Sequence, residues 1–333
     1  MNPFQKGFIE GIIPPKPMTV SEWSDKNRML SSKGSSEPGR WRTSRTPYLK
    51  TPMDLLSVTN TDVERVVMMF GAQTGKSECG INFLLYTIDH CPAPILCVNP
   101  SLDMTKRMSR QRLEPAFEET PVIKAKIAPQ RSRDASNSMF IKEYPNGILM
   151  LTGANSPAGL RSAPVRYLFM DEIDSYPSDA STSGGVSEGD PVELAIKRTS
   201  TFSRKKILMT STPTTKDFCR VESEYLASDR RKFFVKSPCC GKYQTLVWGQ
   251  MKWENRDAST AKYECVHCGE RFDETHKTAL LRKGEWRAEK PMTRKTAGFQ
   301  MSSIYSPAGW LNWPELVEEF LRSKDDAPLF KTF

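Results

Sequence analysis

No apolar run in the sequence approaches the ~18 residues that a membrane-crossing helix needs. The longest, such as residues 66–72, are strand-sized. Residues 1–11 include Lys6 but no apolar segment of signal-peptide type. The expectation is therefore a chain that is neither secreted nor inserted in a membrane. The glycine period of collagen, the heptads of a coiled coil and the cysteine density of a small disulfide scaffold are missing too, as is any internal repeat. What is present suits a globular protein: 333 residues, 38% hydrophobic and 26% charged, with 24 prolines that point to many loops. At about 150 residues per domain, this length predicts two domains. Lysine and arginine outnumber aspartate and glutamate 48 to 39, a net charge of +9. That sign suits a polyanionic partner, because basic side chains release counterions condensed on phosphates.

Along the chain the pattern alternates. A short helix is predicted over 19–30, with Thr19 as cap and Glu22 three residues on. Residues 31–47 are polar and marked by Gly, Ser and Pro, which predicts a surface loop. Buried strands are predicted at 63–70, 93–99, 165–170 and 206–211, helices at 76–88 and 101–119, and a hairpin at 139–152 around Pro145-Asn146-Gly147. Short apolar strands alternating with helices imply an α/β fold with a parallel sheet covered on both faces. Beyond about residue 232, cysteines, tryptophans and short β-like pieces replace this rhythm, so a boundary is expected there. A helical pattern returns over 312–324 and runs toward an apolar, uncapped end at 329–333.

Three segments carry chemistry. Phe70-Gly71-Ala72-Gln73-Thr74-Gly75-Lys76-Ser77 follows a strand and opens a helix, the context of a P-loop. Backbone N–H groups of such a loop converge on phosphate, aided by the positive end of the helix dipole. Lys76 is expected on the β- and γ-phosphates and Ser77 on Mg²⁺. The first glycine of the motif would fall at position 70, which is Phe; Gly71 sits one place late. Next, the apolar strand 165–170 runs into Asp171 and Glu172, at the sheet edge where open α/β folds bind ligands. Asp171 is expected to hold hydrated Mg²⁺ and Glu172 to orient the attacking water. An Asp-Glu pair favours a DNA- or protein-moving ATPase over a GTPase or small-molecule kinase. Last, strand 206–211 ends in Ser211, Thr212, Pro213 and Thr214, a hydroxyl-rich turn fit to sense the γ-phosphate, with a plain polar turn as the alternative.

With these segments in order, the chain resembles the lambda-like family of tailed-phage terminase large subunits, the motors that package viral DNA. The likeness also includes Trp41-Arg42-Thr43-Ser44-Arg45-Thr46-Pro47-Tyr48, Gly153-Ala154-Asn155-Ser156-Pro157-Ala158-Gly159-Leu160-Arg161-Ser162 and Asp171-Glu172-Ile173-Asp174. The resemblance implies a RecA-like P-loop ATPase of the additional-strand, catalytic-glutamate type that uses ATP and Mg²⁺. It also implies double-stranded DNA, a terminase small subunit, a portal protein and a ring of its own copies on the procapsid as partners, in the host bacterial cytoplasm. It implies that Tyr48 packs against adenine, with a core position as the alternative. It implies too that Gln73 faces the nucleotide and that Ser211 and Thr212 couple hydrolysis to movement. Arg161 takes the place of an arginine finger offered to a neighbouring subunit, with a surface ion pair as the alternative; Arg166 is a weaker candidate. Only the ATPase part of such a motor is matched, so no nuclease activity is expected. Expected divisions are an extension at 1–47, the ATPase core at 48–231, a zinc-ribbon-like β subdomain at 232–311 and the start of a linker helix at 312–333.

Cys79, Cys91, Cys97 and Cys219 are scattered and read as core thiols. Cys239, Cys240, Cys265 and Cys268 cluster, and Cys265-x-x-Cys268-Gly269 has the spacing of a zinc knuckle. In the other half Ser237 stands where a first cysteine is expected, which leaves Cys239, His267 or His276 as the fourth ligand of a structural Zn²⁺. The alternative is a metal-free ribbon held by Trp248 and Trp253. Lys106, Arg107, Arg110 and Arg112 form a candidate DNA stripe, which a solvated helix face explains as well. Two other functions compete with the motor. A helicase-like motor would carry a second RecA-like lobe, and residues 232–333 lack its alternation. A non-catalytic zinc-ribbon DNA-binding module would fit the Phe70 departure and the charge.

Overall fold

The computed structural model describes residues 16–127, 137–181, 187–214 and 219–324. The expected chain end at 329–333 lies outside them. Thr19 caps the helix Val20–Asn27 and Glu22 closes the capping box. The helix stops at Asn27, short of the expected Leu30, because β1 (Met29–Leu30) pairs antiparallel with β2 (Gly39–Arg40). Trp23 is buried and its indole N–H donates to Asp89 Oδ2 at 2.7 Å, fixing this helix on the helix Lys76–His90.

A ten-stranded mixed sheet forms the body. Its centre is β3 (Arg65–Phe70), flanked in parallel by β8 (Lys206–Ser211), then β7 (Tyr167–Asp171), β4 (Ile95–Asn99) and β6 (Gly147–Gly153). On its other side lie β15 (Thr296–Met301) and β9 (Arg231–Lys236), also parallel. The antiparallel strands are β5 (Ile141–Tyr144), against β6 in the expected hairpin, and β10 (Tyr243–Gln244) and β14 (Glu285–Arg287), both against β9. Successive residues of a strand face opposite sides. Val66, Met68 and Phe70 accordingly join one apolar core and Val67 and Met69 the other. Burial on both faces explains why these strands read as continuous apolar runs.

Two expectations change. The core sheet does not end near residue 231: β9, β14 and β15 belong to it, and β15 lies directly beside β3. After Lys236 the cysteine-bearing segment stays attached to the sheet only through β10, and the chain rejoins it at β14. It carries the small antiparallel sheet of β11 (Met251–Glu254), β12 (Asp257–Glu264) and β13 (Arg271–Phe272). The expected helix over 101–119 is α-helical at Leu102–Arg107 and Glu114–Glu119, with a π-helical segment, Met108–Leu113, between them. Pro115 lacks an N–H and its ring crowds the preceding turn, and the wider π turns leave it room. The helix Trp313–Ser323 carries a capping box of Asn312 and Glu315 and packs on β12.

Candidate active site: a P-loop cleft and a cysteine cluster

β3 ends in the turn that sequence reading assigned to phosphate. Phe70 is the last strand residue, fully buried, with its ring stacked on Trp286 at 5.9 Å. It therefore belongs to the core, and the loop begins one residue later. A Cβ at Gly71 would lie 2.4 Å from Ser303 N, so the glycine there serves the close passage of the 302–303 backbone. Thr74 Oγ1 donates to Gly71 O at 2.8 Å, and the Ser306 hydroxyl donates to Gln73 O at 2.7 Å. Gln73 is itself left-handed at φ 54° and exposed. Gly75 caps the helix Lys76–His90.

Because β3, β8 and β7 run parallel and adjacent, their ends bring three distant segments to one edge. Lys76 Nζ lies 3.0 Å from Glu172 Oε1 and donates to Thr212 Oγ1 at 2.7 Å. Glu172, left-handed at φ 53°, accepts from Thr212 N at 3.1 Å and from the Ser211 hydroxyl at 3.3 Å through its other oxygen. Asp171 is buried and accepts from Thr210 Oγ1 at 2.5 Å. Burial pushes its carboxyl up and Glu172 adds to that, while hydrogen bonds from Thr210 and Ser77 and the charge of Lys76 oppose it. A cation beside Asp171 and Ser77 would relieve that burial cost, so these oxygen donors fit Mg²⁺. Asp174 faces elsewhere, its Oδ1 accepting from Val221 N at 2.8 Å at the start of the helix Arg220–Leu226. Ala72, Gln73, Thr74, Gly75, Lys76 and Ser77 line a cleft of about 600 Å³ with Glu172 and Thr212.

Other expected residues fall differently. Tyr48 is fully buried, edge-on to Phe70 and Phe233, with its hydroxyl donating to Thr74 O at 3.1 Å. The expected packing against adenine is corrected: no face of this ring is free to stack, and Tyr48 props the loop from beneath. Arg161 follows β6, half-exposed and paired with Glu188. Arg166 lies at the opposite end of β7, donating to Arg204 O at 3.1 Å. The basic residues 106–112 do not share one stripe. Lys106, Arg107 and Arg110 are exposed, but Arg112 turns to the cleft and donates to Glu78 Oε1 at 2.8 Å. Arg28, 3% exposed, donates to the other oxygen of Glu78 at 3.2 Å. Burial pulls the Arg28 guanidinium below its ordinary value against the hold of Glu78. Two arginines on one carboxylate leave positive charge beside the cleft, a feature that helix periodicity did not signal. Trp310 also lines the cleft and was not foreseen, since no local motif marks it.

The second cluster lies beyond the sheet. The Sγ atoms of Cys239, Cys240, Cys265 and Cys268 all lie within 4.8 Å of one another. Cys239 is thus the fourth member, ahead of His267, whose Nε2 lies 2.9 Å from Tyr243 O, and His276, which meets the Phe272 ring. Burial pushes the Cys265 thiol up, but hydrogen bonds from the Ser237 hydroxyl and from the N–H groups of His267 and Cys268 outweigh it and bring it to about 6. The Cys268 thiol is lowered by the N–H of Glu270 but pushed to about 12 by the thiols of Cys239, Cys265 and Cys240. Four crowded thiols cannot all ionise unaided, so a soft cation fits them. Ser237 accepts from Gln244 Nε2 at 2.6 Å and supports Cys265 instead of joining the set.

Residues 35–286 match the family model described as phage terminase large subunit gpA, ATPase domain. The large terminase subunit of Enterobacteria phage P21 is 25% identical over 355 residues, covering 98% of this chain and 53% of that protein. The chain thus spans about half the length of that curated relative. Among solved structures, the Thermus phage P74-26 large terminase ATPase domain covers 81% of this chain and 86% of its own, at 15% identity and a TM-score of 0.45. The large terminase of bacteriophage HK97 covers 62% of this chain and 40% of its own, at 10% identity and a TM-score of 0.47. No helix among the described residues is long and apolar enough to cross a membrane. With most of its length matched by that model, the chain belongs to the family of phage terminase large subunit ATPase domains of the gpA type.

Proposed function

We propose that this chain hydrolyses ATP with Mg²⁺ and that the hydrolysis drives double-stranded viral DNA into a procapsid. The observation that carries the reading is the meeting of Lys76, Glu172 and Thr212 at one end of adjacent parallel strands. The Lys76–Glu172 pair opens when Lys76 turns to a phosphate. Glu172 is then free to accept a proton from the water that attacks the γ-phosphorus, aimed by Thr212 N and the Ser211 hydroxyl. Ser77 and Asp171 would hold Mg²⁺, whose charge would neutralise phosphate oxygens. The P-loop N–H groups from Ala72 to Ser77 bind the phosphates. Arg161, released from Glu188, is offered to a neighbouring copy in a ring, where its charge stabilises the transition state. Ser211 and Thr212 touch Glu172, and Thr212 also touches Lys76, so loss of phosphate alters the hold on the end of β8 and couples chemistry to movement.

The net charge of +9 agrees with a DNA partner. The small subunit, the portal protein and a ring at the procapsid portal in the host cytoplasm complete the assignment. The sheet supports a core that includes β9, β10, β14 and β15, with the rest of the segment between β9 and β14 as an inserted zinc ribbon in which a structural Zn²⁺ is held by the four thiols. The test is Mg²⁺-dependent ATP hydrolysis at concentrations where rings assemble, with DNA present. Glu172→Gln is expected to keep ATP binding and lose at least ~100-fold in turnover. Wild-type turnover in that variant would remove the reading.

A further inference from the structure

With Tyr48 closed inside the core, the cleft needs another surface for the nucleotide base. We infer that Trp310 forms that surface: its indole stacks on the base of a nucleotide in a cavity beside the P-loop. The inference rests on the nucleotide reading above and names the residue that recognises the base.

The cavity has a volume of about 420 Å³ and shares Ser35, Glu78 and Trp310 with the phosphate cleft, so the two adjoin across these residues. Trp310 is half-buried. A Cβ built on Gly75 would lie 3.6 Å from its ring atom Cζ3, which puts the indole against the last glycine of the loop. A base joined through its sugar to phosphates at that loop meets this ring first. The indole is held ready. Its N–H donates to Glu37 Oε1 at 2.9 Å, and the Arg45 guanidinium lies over the ring at 5.6 Å. Arg45 donates to Glu37 at 2.6 Å and to Ala308 O at 2.7 Å, which ties the Trp310 turn to the segment that carries Thr46 and Tyr48. A second observation points the same way. Thr46, 1% exposed, lines the cavity, and its hydroxyl has no hydrogen-bond partner among the described residues. Aromatic rings stack with any base face, whereas the phosphate cleft makes no distinction between a nucleotide and inorganic polyphosphate.

Calorimetric titration with Mg²⁺-ADP and with Mg²⁺-tripolyphosphate, which has no base, separates the two subsites. Trp310→Ala is expected to weaken ADP about ten-fold and to leave tripolyphosphate unchanged. Trp310→Phe, which keeps a ring, should recover most of the ADP affinity while losing the part of the tryptophan fluorescence that ADP quenches in the wild type. Unchanged ADP affinity in Trp310→Ala overturns the inference, as does an equal loss for both ligands, which would indicate damage to the loop. If the wild-type protein binds tripolyphosphate but not ADP, the base has no subsite and this inference alone fails. If it binds neither, the ATPase reading fails first.

Discussion

Tyr48 carries two loads. Its ring fills the space between Phe70 and Phe233, and its hydroxyl holds Thr74 O from below the loop. Removing the ring leaves a cavity that the surrounding aromatics cannot close. Tyr48→Ala is therefore expected to cost about 3–5 kcal/mol in urea denaturation. Tyr48→Phe gives up only the hydrogen bond, about 1 kcal/mol, and should bind Mg²⁺-tripolyphosphate as the wild type does. A Tyr48→Ala protein of undiminished stability would contradict the core assignment. Phe70 follows the same logic. A residue that looks like a fault in the phosphate motif is the end of a buried strand, and its stacking on Trp286 ties β3 to β14, a strand more than two hundred residues away.

At the level of elements, the P-loop helix is set by how closely it approaches β7. A Cβ on Gly80 would lie 2.1 Å from the Phe169 ring. Alanine is the better helix former by about 1 kcal/mol, yet Gly80→Ala is expected to destabilise by about 1–3 kcal/mol because helix and strand must part. Adding Phe169→Leu should recover part of the loss in the same denaturation assay. A stabilised single variant would mean that the helix does not press on this strand. The shift matters for the site, since β7 carries Asp171 and the helix begins at Lys76. β-branched and apolar runs marked β3, β4, β7 and β8 well, because strands buried on both faces need no polar alternation. Thr19 with Glu22 and Pro145 with Asn146 likewise marked a cap and a turn by local chemistry. The π segment was not visible, because its cause is Pro115 acting on turns that precede it.

Across the whole molecule, the cysteine-bearing segment is joined to the helix Trp313–Ser323 by aromatic packing. Trp248 and Trp253 meet Phe320 of the Trp313–Ser323 helix at 5.2 and 5.6 Å, and Tyr263 meets Trp313 at 6.0 Å. Metal removal should therefore loosen both. Stripping zinc with a chelator is expected to raise amide exchange over 237–272 and 313–323 while the Lys76–His90 helix stays protected. A Cys265→Ser variant should purify with less than the one zinc per chain expected of the wild type. Exchange unchanged on chelation, with no zinc in the protein, would leave the ribbon held by its tryptophans alone. The strands, the phosphate turn, the Asp171–Glu172 pair and the cysteine set were legible one segment at a time, because periodicity, turn chemistry and ligand spacing act over a few residues. Their mutual placement was not. That β15 lies beside β3, that Lys76 reaches both Glu172 and Thr212, that Tyr48 is sealed in while Trp310 lines the cleft: each depends on packing between segments far apart in the chain, and no local pattern encodes which distant surface a side chain will meet.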